Sequence, residues 1–471
     1  MRHAYPLSAV PVHMVPVHAP PVLLALLLVL LAAGCTGGPS GSPPPGTPAA
    51  PPGTPVANAS PATLVFQDRS LYFELVRTLG KTYEHGADLG ESLETARRIA
   101  AAEGRGLHPV LAAWHDEWNA TADRIHAIGV EAERRGHPVS AGEAYLRASE
   151  YYRAAEFFLH DDPSDPEIVQ LWDRMHADFV RGLTLTGVRF EEVEIPYEGT
   201  TLHGYFFAAG DGSRRAPTVI VHQGFDGTAE ECWYGVGAGA VRRGYNVLAF
   251  DGPGQGRSVR KQGLHFRPDW EAVVTPVVDW VIARPGVDPD RLVLYGISMG
   301  GYLAPRAAAS EHRLRAVVAN EGVYDVFEND ADSARMTTAA LRDLLYNQTG
   351  EYNRYVAGMI EHDIQLYWAT THGMWAFGVS TPADLMKAHE AYTMNGSADR
   401  ITCPVLVVDV EENQFFGSQA RRLYDALPPA HRALLTFSGK EGAGLHCQAG
   451  AQALGSQRIF DWLDEELARG R

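Results

Sequence analysis

Apolar side chains from about residue 67 to 185 recur at intervals of three and four, with few β-branched runs. That spacing predicts amphipathic helices, most clearly in "SLETARRIAAAE", "VLAAWHDEWNATADRIHAIGVEAERRG" and "SAGEAYLRASEYYRAAEFFLH". Ser140 and Glu143 stand at capping-box spacing and predict the start of the third segment. Tyr145, Tyr151, Tyr152, Phe157 and Phe158 form an aromatic stripe, read as packing between helices rather than as a ligand surface.

After residue 187 the period changes from helical to alternating. "FEEVEIPY" and "TTLHGYFFA", separated by "EGT", predict a β-hairpin. Apolar strands and helices then take turns: "PTVIVHQG", a helix near 229–243, "YNVLAFDG", a helix near 268–284, "RLVLYGIS", a helix from about 299, and "RAVVANEG". This rhythm predicts an α/β fold, a mostly parallel sheet with helices on both faces. Residues 327–398 interrupt it with helical segments before "PVLVVDV" and "ALLTFSG" resume, and an insertion at that place is expected to form a helical lid over a pocket. The expected domains are an N-terminal helical domain over 67–186 and an α/β domain over 187–471 that carries the insertion.

The first residues belong to neither pattern. "PPVLLALLLVLLAAGC" is an unbroken apolar run, shorter than the roughly 20 residues a spanning helix needs, and it ends at small residues and Cys35. Residues 1–35 are therefore expected to be an export signal with a lipobox, Cys35 being the site of lipid anchoring to the outer face of the cell membrane. Residues 36–66, rich in Pro and Gly, are expected to be a tether without a packed core. A net charge of −17 excludes nucleic acid as the main partner, because phosphate binding needs a positive field. Cys232, Cys403 and Cys447 show no CxxC spacing, so neither a disulfide framework nor a zinc knuckle is indicated, and no cofactor or metal is expected.

The candidate chemistry centres on "YGISMGGY". It follows a buried-type strand and opens a helix, which is the context of a nucleophile elbow with Ser298 as nucleophile. A serine hydroxyl attacks only when an imidazole takes its proton, and His446, in "GKEGAGLHC" after the last strand, is placed to do so. Two backbone amides must hold the oxyanion: Met299 follows the serine, and Phe225 lies in the loop after "PTVIVHQG". His222 is read as structural. The acid is expected from the loop "DVEENQFFGSQ", where Asn413 falls at the usual aspartate position. Glu412 is the first choice and Asp409 the second, with Glu411 beside them and Glu321 or Asp325 as more distant options. "FDGPGQGRS" lacks phosphate-loop spacing and reads as a tight turn at the rim of the site.

"HQGFDGTAEE", "NVLAFDGPGQG", "FRPDWEAVVTPVVDW", "YGISMGGYLAPRAAA", "SAGEAYLRASEYYRAAEFF" and "EGAGLHCQAGAQAL" together resemble the alpha/beta-hydrolase family that includes bacterial 2,6-dihydroxypseudooxynicotine hydrolase and fungal polyketide-shortening hydrolases. The resemblance implies Ser298 and His446 as nucleophile and base, and a small-molecule ester or β-ketone substrate cleaved through an acyl-enzyme. An aminopeptidase-like activity is the alternative within the same chemistry. Members often carry Glu-Asn-Asp where this chain has Glu411-Glu412-Asn413, so the family's acid does not carry over to Asn413. That departure motivates a rival reading, a noncatalytic surface binding protein with a degenerate triad.

Overall fold

The computed structural model describes residues 64–212 and 214–469. The expected export signal, Cys35 and most of the expected tether lie outside the described residues. Where description starts, Phe66 is already buried against Trp114, so the packed core begins slightly before the expected end of the tether. Among the described residues no helix is long and apolar enough to cross a membrane.

Five helices come first: α1 (Arg69–Gly80), α2 (Leu89–Ala100), α3 (Leu107–Arg134), α4 (Pro138–Glu156) and α5 (Pro166–Leu185). Asp68 and Asp88 cap α1 and α2 by accepting amide hydrogen bonds, as an acidic N-cap should. The capping box expected at Ser140 and Glu143 does not form. Pro138, with its fixed φ and no N–H to leave unpaired, starts α4 earlier and places Ser140 in the first turn. The aromatic stripe packs as expected: Tyr151, Tyr152, Phe157 and Phe158 are buried with Trp114 and Trp118.

The sheet has eight strands, β1 (Phe190–Tyr197), β2 (Thr200–Phe207), β3 (Ala216–His222), β4 (Asn246–Phe250), β5 (Val287–Ile297), β6 (Ala316–Asn320), β7 (Val405–Val410) and β8 (Arg432–Phe437), in the order β1-β2-β4-β3-β5-β6-β7-β8. β1 and β2 form the hairpin, turning through Glu198 and Gly199, both at positive φ. From β4 to β8 every neighbouring pair is parallel. Alternation along the strands feeds two cores. Ile220, Leu294 and Val317 face one, while Val219, Val293 and Val318 face the other.

The connecting helices are α6 (Ala229–Cys232), α7 (Ala238–Arg242), α8 (Gly256–Gln262), α9 (Glu271–Ile282) and α10 (Gly300–Ala308). The insertion contributes α11 (Val326–Ser333), α12 (Thr338–Asn347), α13 (Thr349–Ile360), α14 (Ile364–Phe377) and α15 (Pro382–His389), and α16 (Gln419–Ala426) and α17 (Gln452–Ala468) close the chain. Ile364 and Tyr367 of α14 join the apolar cluster of the N-terminal helices, so the insertion and the helical layer share one core.

Candidate active site

β5 ends in a turn too tight for most side chains. A Cβ on Gly296 would lie 1.9 Å from the carbonyl oxygen of Gly300, so only glycine fits where the strand meets α10. Ser298, between them, sits at φ +60°, a left-handed conformation that costs a non-glycine residue on the order of 1–3 kcal/mol. Its own N–H donates to Asn320 O (2.5 Å) and its carbonyl accepts from Gly301 N–H (2.7 Å), which hold the strained residue in place.

His446, in the turn between β8 and α17, brings Nε2 to 2.9 Å from Ser298 Oγ. In the neutral ring that accepts from the hydroxyl, the single N–H is on Nδ1 and faces Glu321 Oε2 at 3.8 Å, an ion-pair distance rather than a hydrogen bond. Contacts of this kind tighten when substrate binds. Glu321 is fully buried. Its Oε1 accepts from Cys447 N–H (2.7 Å), and its Oε2 accepts from the Asn413 side-chain amide. Burial disfavours the His446 imidazolium, but the adjoining Cys447 sulfur and Glu321 carboxylate outweigh it and raise the ring's pKa. Burial also raises the Cys447 thiol, so near neutrality Glu321 is the charge that favours the imidazolium.

The acid expected from the loop after β7 is not there. Glu412 is exposed, its backbone bridging Leu445 and its side chain directed at Gly439. Asp409 accepts from the N–H of Val410, and burial together with nearby Glu321 raises its pKa. Glu411 accepts from Gly439 N–H, and Asp325 caps α11. The reason is register. Ile297 pairs with Asn320 across β5 and β6, so Glu321 follows directly beside Ser298, whereas β7 is one strand farther, about 4.8 Å more. Asn413, at the usual aspartate position, donates to Glu321 where a second carboxylate would repel it.

The loop after β3 abuts the elbow. A Cβ on Gly224 would reach within 2.5 Å of Met299 N, so a side chain there would obstruct the amide expected to hold an oxyanion. Among the described residues neither Met299 N–H nor Phe225 N–H is given to a protein acceptor. Each neighbouring group is held from a different direction. Gln255, in the turn after β4, donates to Gln223 O (2.5 Å) and Gly224 O (3.1 Å). His372 of α14 donates from Nε2 to Phe225 O (2.8 Å) and accepts at Nδ1 from His160 (2.9 Å), which meets Glu156 (2.8 Å). Burial lowers His372 to about 3 and keeps that ring neutral. Arg77 of α1 grips Asp226 (2.8 Å) and Glu231 (2.9 Å) within a buried cluster that also holds Lys81, Arg153, Glu74 and Glu150. Burial pushes Glu231 up, yet the three cations hold it below the usual carboxylate range.

His222 is buried against Gln223 O (2.9 Å) and held neutral by burial, which lowers it to about 4, as a structural residue should be. The turn after β4 is built on Asp251, which accepts from Ala229 N–H (2.7 Å) and Arg257 N–H (2.8 Å) and contacts no phosphate-loop geometry. Cys232, Cys403 and Cys447 are free thiols. Ligand atoms of Glu321, His446 and Cys447 lie within 4.8 Å of one another, and His446 Nε2 meets both the serine hydroxyl (2.9 Å) and Cys447 Sγ (3.4 Å).

Aromatic rings wall the site from three parts of the chain. Phe415 lies 4.8 Å from the His446 ring, Phe416 5.7 Å and Phe73 of α1 6.3 Å, while Trp368 of the insertion packs on both Phe415 and Phe225. Arg77, Gln255, His160 and His372 escape a linear reading because the contacts that tie them to this loop and to each other span 31 to 212 residues. The acidic run after "GFDG" was the one available signal, since buried acids require buried cations.

Residues 218–447 match the model of the "Alpha/beta hydrolase family". Hydrolase LUC6 of Fusarium sp is 37% identical over 417 residues, covering 85% of this chain and 97% of that protein. Hydrolase acrC of Aspergillus aculeatus is 35% identical over 429 residues, with 85% and 97% covered. The 20-hydroxy-prefusarin hydrolase FUS2 of Gibberella moniliformis is 34% identical over 420 residues, with 86% and 98% covered. The crystal structure of 2,6-dihydroxy-pseudo-oxynicotine hydrolase superposes with a TM-score of 0.64 at 20% identity, covering 83% of this chain and 96% of that one, a likeness of fold.

Proposed function

The chain belongs to the alpha/beta hydrolase family, and on that premise we propose that it is a serine-dependent hydrolase of a small, partly aromatic ester or β-ketone. The observation that carries this reading is the 2.9 Å contact between Ser298 Oγ and His446 Nε2 at a left-handed elbow. His446 takes the hydroxyl proton as Ser298 attacks the substrate carbonyl. Met299 N–H and Phe225 N–H hold the developing oxyanion, and Glu321 stabilises the imidazolium. His446 then returns the proton to the leaving group, an alkoxide in an ester or an enolate carbon in a β-ketone. Water, activated by the same ring, frees Ser298 from the acyl group.

Two observations support the substrate class. The site is walled by Phe73, Phe225, Phe415, Phe416 and Trp368, rings suited to a flat apolar molecule. Similar proteins include a 20-hydroxy-prefusarin hydrolase and, in fold, a 2,6-dihydroxy-pseudo-oxynicotine hydrolase. The noncatalytic reading loses its motive once Glu321, rather than position 413, serves as the acid. Ser298→Ala should lower hydrolysis of a short-chain p-nitrophenyl ester by about 10⁴-fold or more while leaving the circular dichroism spectrum unchanged. Retained turnover would refute the assignment. Export and lipid anchoring at Cys35 complete the proposal; labelled palmitate should enter the wild-type chain and not Cys35→Ala.

A further inference from the structure

A second cluster of ligating side chains lies away from Ser298, where α5, β2 and α6 meet. We infer that His176, His203 and Glu230 form a binding site for a divalent transition metal of the zinc class, which staples the helical layer to the sheet. One ligand atom from each of the three lies within 4.8 Å of the others. Two of the groups are buried with polar atoms that have no partner: His203 Nε2 and Glu230 Oε2, in side chains 3% and 2% exposed. Buried polar atoms are ordinarily paired, and two unpaired ones in side chains of the same cluster point to a ligand there. Neither tautomer of His203 relieves the problem. A proton on Nε2 is a donor without an acceptor, and a bare Nε2 is an acceptor without a donor.

The surroundings supply what metal-binding histidines need. His203 Nδ1 lies 3.3 Å from Glu194 Oε1 and 3.0 Å from the Arg257 guanidinium, which also pairs with Glu194, and His176 Nε2 lies 3.3 Å from Glu192 Oε2. His176 can give its outer N–H to Glu192 while its inner nitrogen faces the ion, and His203 reaches the same arrangement toward Glu194 once Arg257 releases Nδ1 and keeps Glu194. His176 Nδ1 is 3.5 Å from Glu230 Oε1 and 2.7 Å from the Tyr205 hydroxyl, which donates to Glu230 at 2.6 Å. For His176 to bind, its proton moves from Nδ1 to Nε2, toward Glu192, and Tyr205 keeps its bond to Glu230. Two imidazoles and a carboxylate are a ligand set zinc favours, with a further position left open. A cavity of about 300 Å³ adjoins both histidines and is lined by Glu192 and Glu194 as well as by Arg257 and Lys261. Trp172 stacks on His176 at 5.0 Å and fixes the ring's plane.

Glu230 also lies in α6, directly before Glu231 of the Arg77 cluster. An ion here would therefore brace the helix that follows the Phe225 loop. The test uses the full chain, stripped with a chelator and titrated with zinc alone, then with cobalt(II) for its visible spectrum. Expected are one tight equivalent, a tetrahedral cobalt band and a rise in Tm. His203→Ala should lose both the equivalent and the band. His176→Gln, at a partly exposed position that folding tolerates, should lose the band, and Glu192→Gln should weaken binding about tenfold or more. Cys447→Ser should bind as the wild type does. The inference is overturned by no tight equivalent, by unchanged binding in His176→Gln, or by loss of the metal in Cys447→Ser, which would place the ion beside His446.

Discussion

At the end of β5 the chain turns through one left-handed residue, and everything that makes the turn reactive lies within a few positions: Gly296 and Gly300 at the close approach, Ser298 between them and Met299 behind. At the end of β7, two strands away, the chain carries three acids in a row of five residues, and none of them reaches His446. The carboxylate that faces His446 instead stands at the end of β6, and the β7 loop contributes an amide, Asn413, that holds it. An elbow is a local object, made by backbone geometry. A charge relay is a product of strand order and register, and any strand end within reach can supply its parts.

The sharpest way to break this contrast is to remove the acids one at a time. Glu321→Gln should lower kcat/KM by about 10²–10⁴, because the imidazolium loses its counter-charge and its tautomer is no longer fixed. Glu412→Gln and Asp409→Asn should stay within about threefold of wild type. The pH profile gives the sign. Glu321 raises the pKa of His446, so its removal lets the ring stay neutral to lower pH and moves the acidic limb of kcat/KM downward. An acidic limb that stays in place would assign the charge elsewhere.

A smaller loss is expected from the amides. Gly224→Ala would put a methyl group 2.5 Å from Met299 N and 2.6 Å from Ile297 O, so kcat should fall about 10²-fold, comparable to losing one oxyanion donor, together with a lower Tm because the crowded atoms are backbone. Smaller again is Asn413→Asp. It sets a second carboxylate against buried Glu321, so one of the pair must hold a proton near neutrality. Activity should fall about tenfold or less above neutral pH, where both carboxylates are ionised, and recover as pH drops enough to put one shared proton on the pair, until His446 itself titrates. A fall that deepens steadily with acid would show that position 413 does not sense Glu321.

The same contrast explains what was legible in advance. The alternation of apolar strands and helices predicted the parallel sheet, because Val219 and Ile220, or Val317 and Val318, must face opposite cores. Ser298 and His446 were readable because each sits in a glycine-rich turn at a strand end. Glu321 was a distant option because a sequence does not state that Ile297 pairs with Asn320, the fact that sets Glu321 beside the serine. The hold of Arg77 on Asp226 and of His372 on Phe225 O joins segments 149 and 147 residues apart, and only packing reveals it. The start of α4 was misjudged because Pro138 outweighs a capping-box pattern that begins two residues later.

The most direct test is the intact mass of the protein after a fluorophosphonate probe, followed by mapping of the modified peptide. A serine deprotonated by His446 is phosphonylated, and an inert one is not. Expected is a single adduct on Ser298, formed much more slowly in Glu321→Gln and absent in Ser298→Ala. A wild-type chain that stays unlabelled, or that is labelled on another residue, would contradict the assignment of Ser298 as an activated nucleophile.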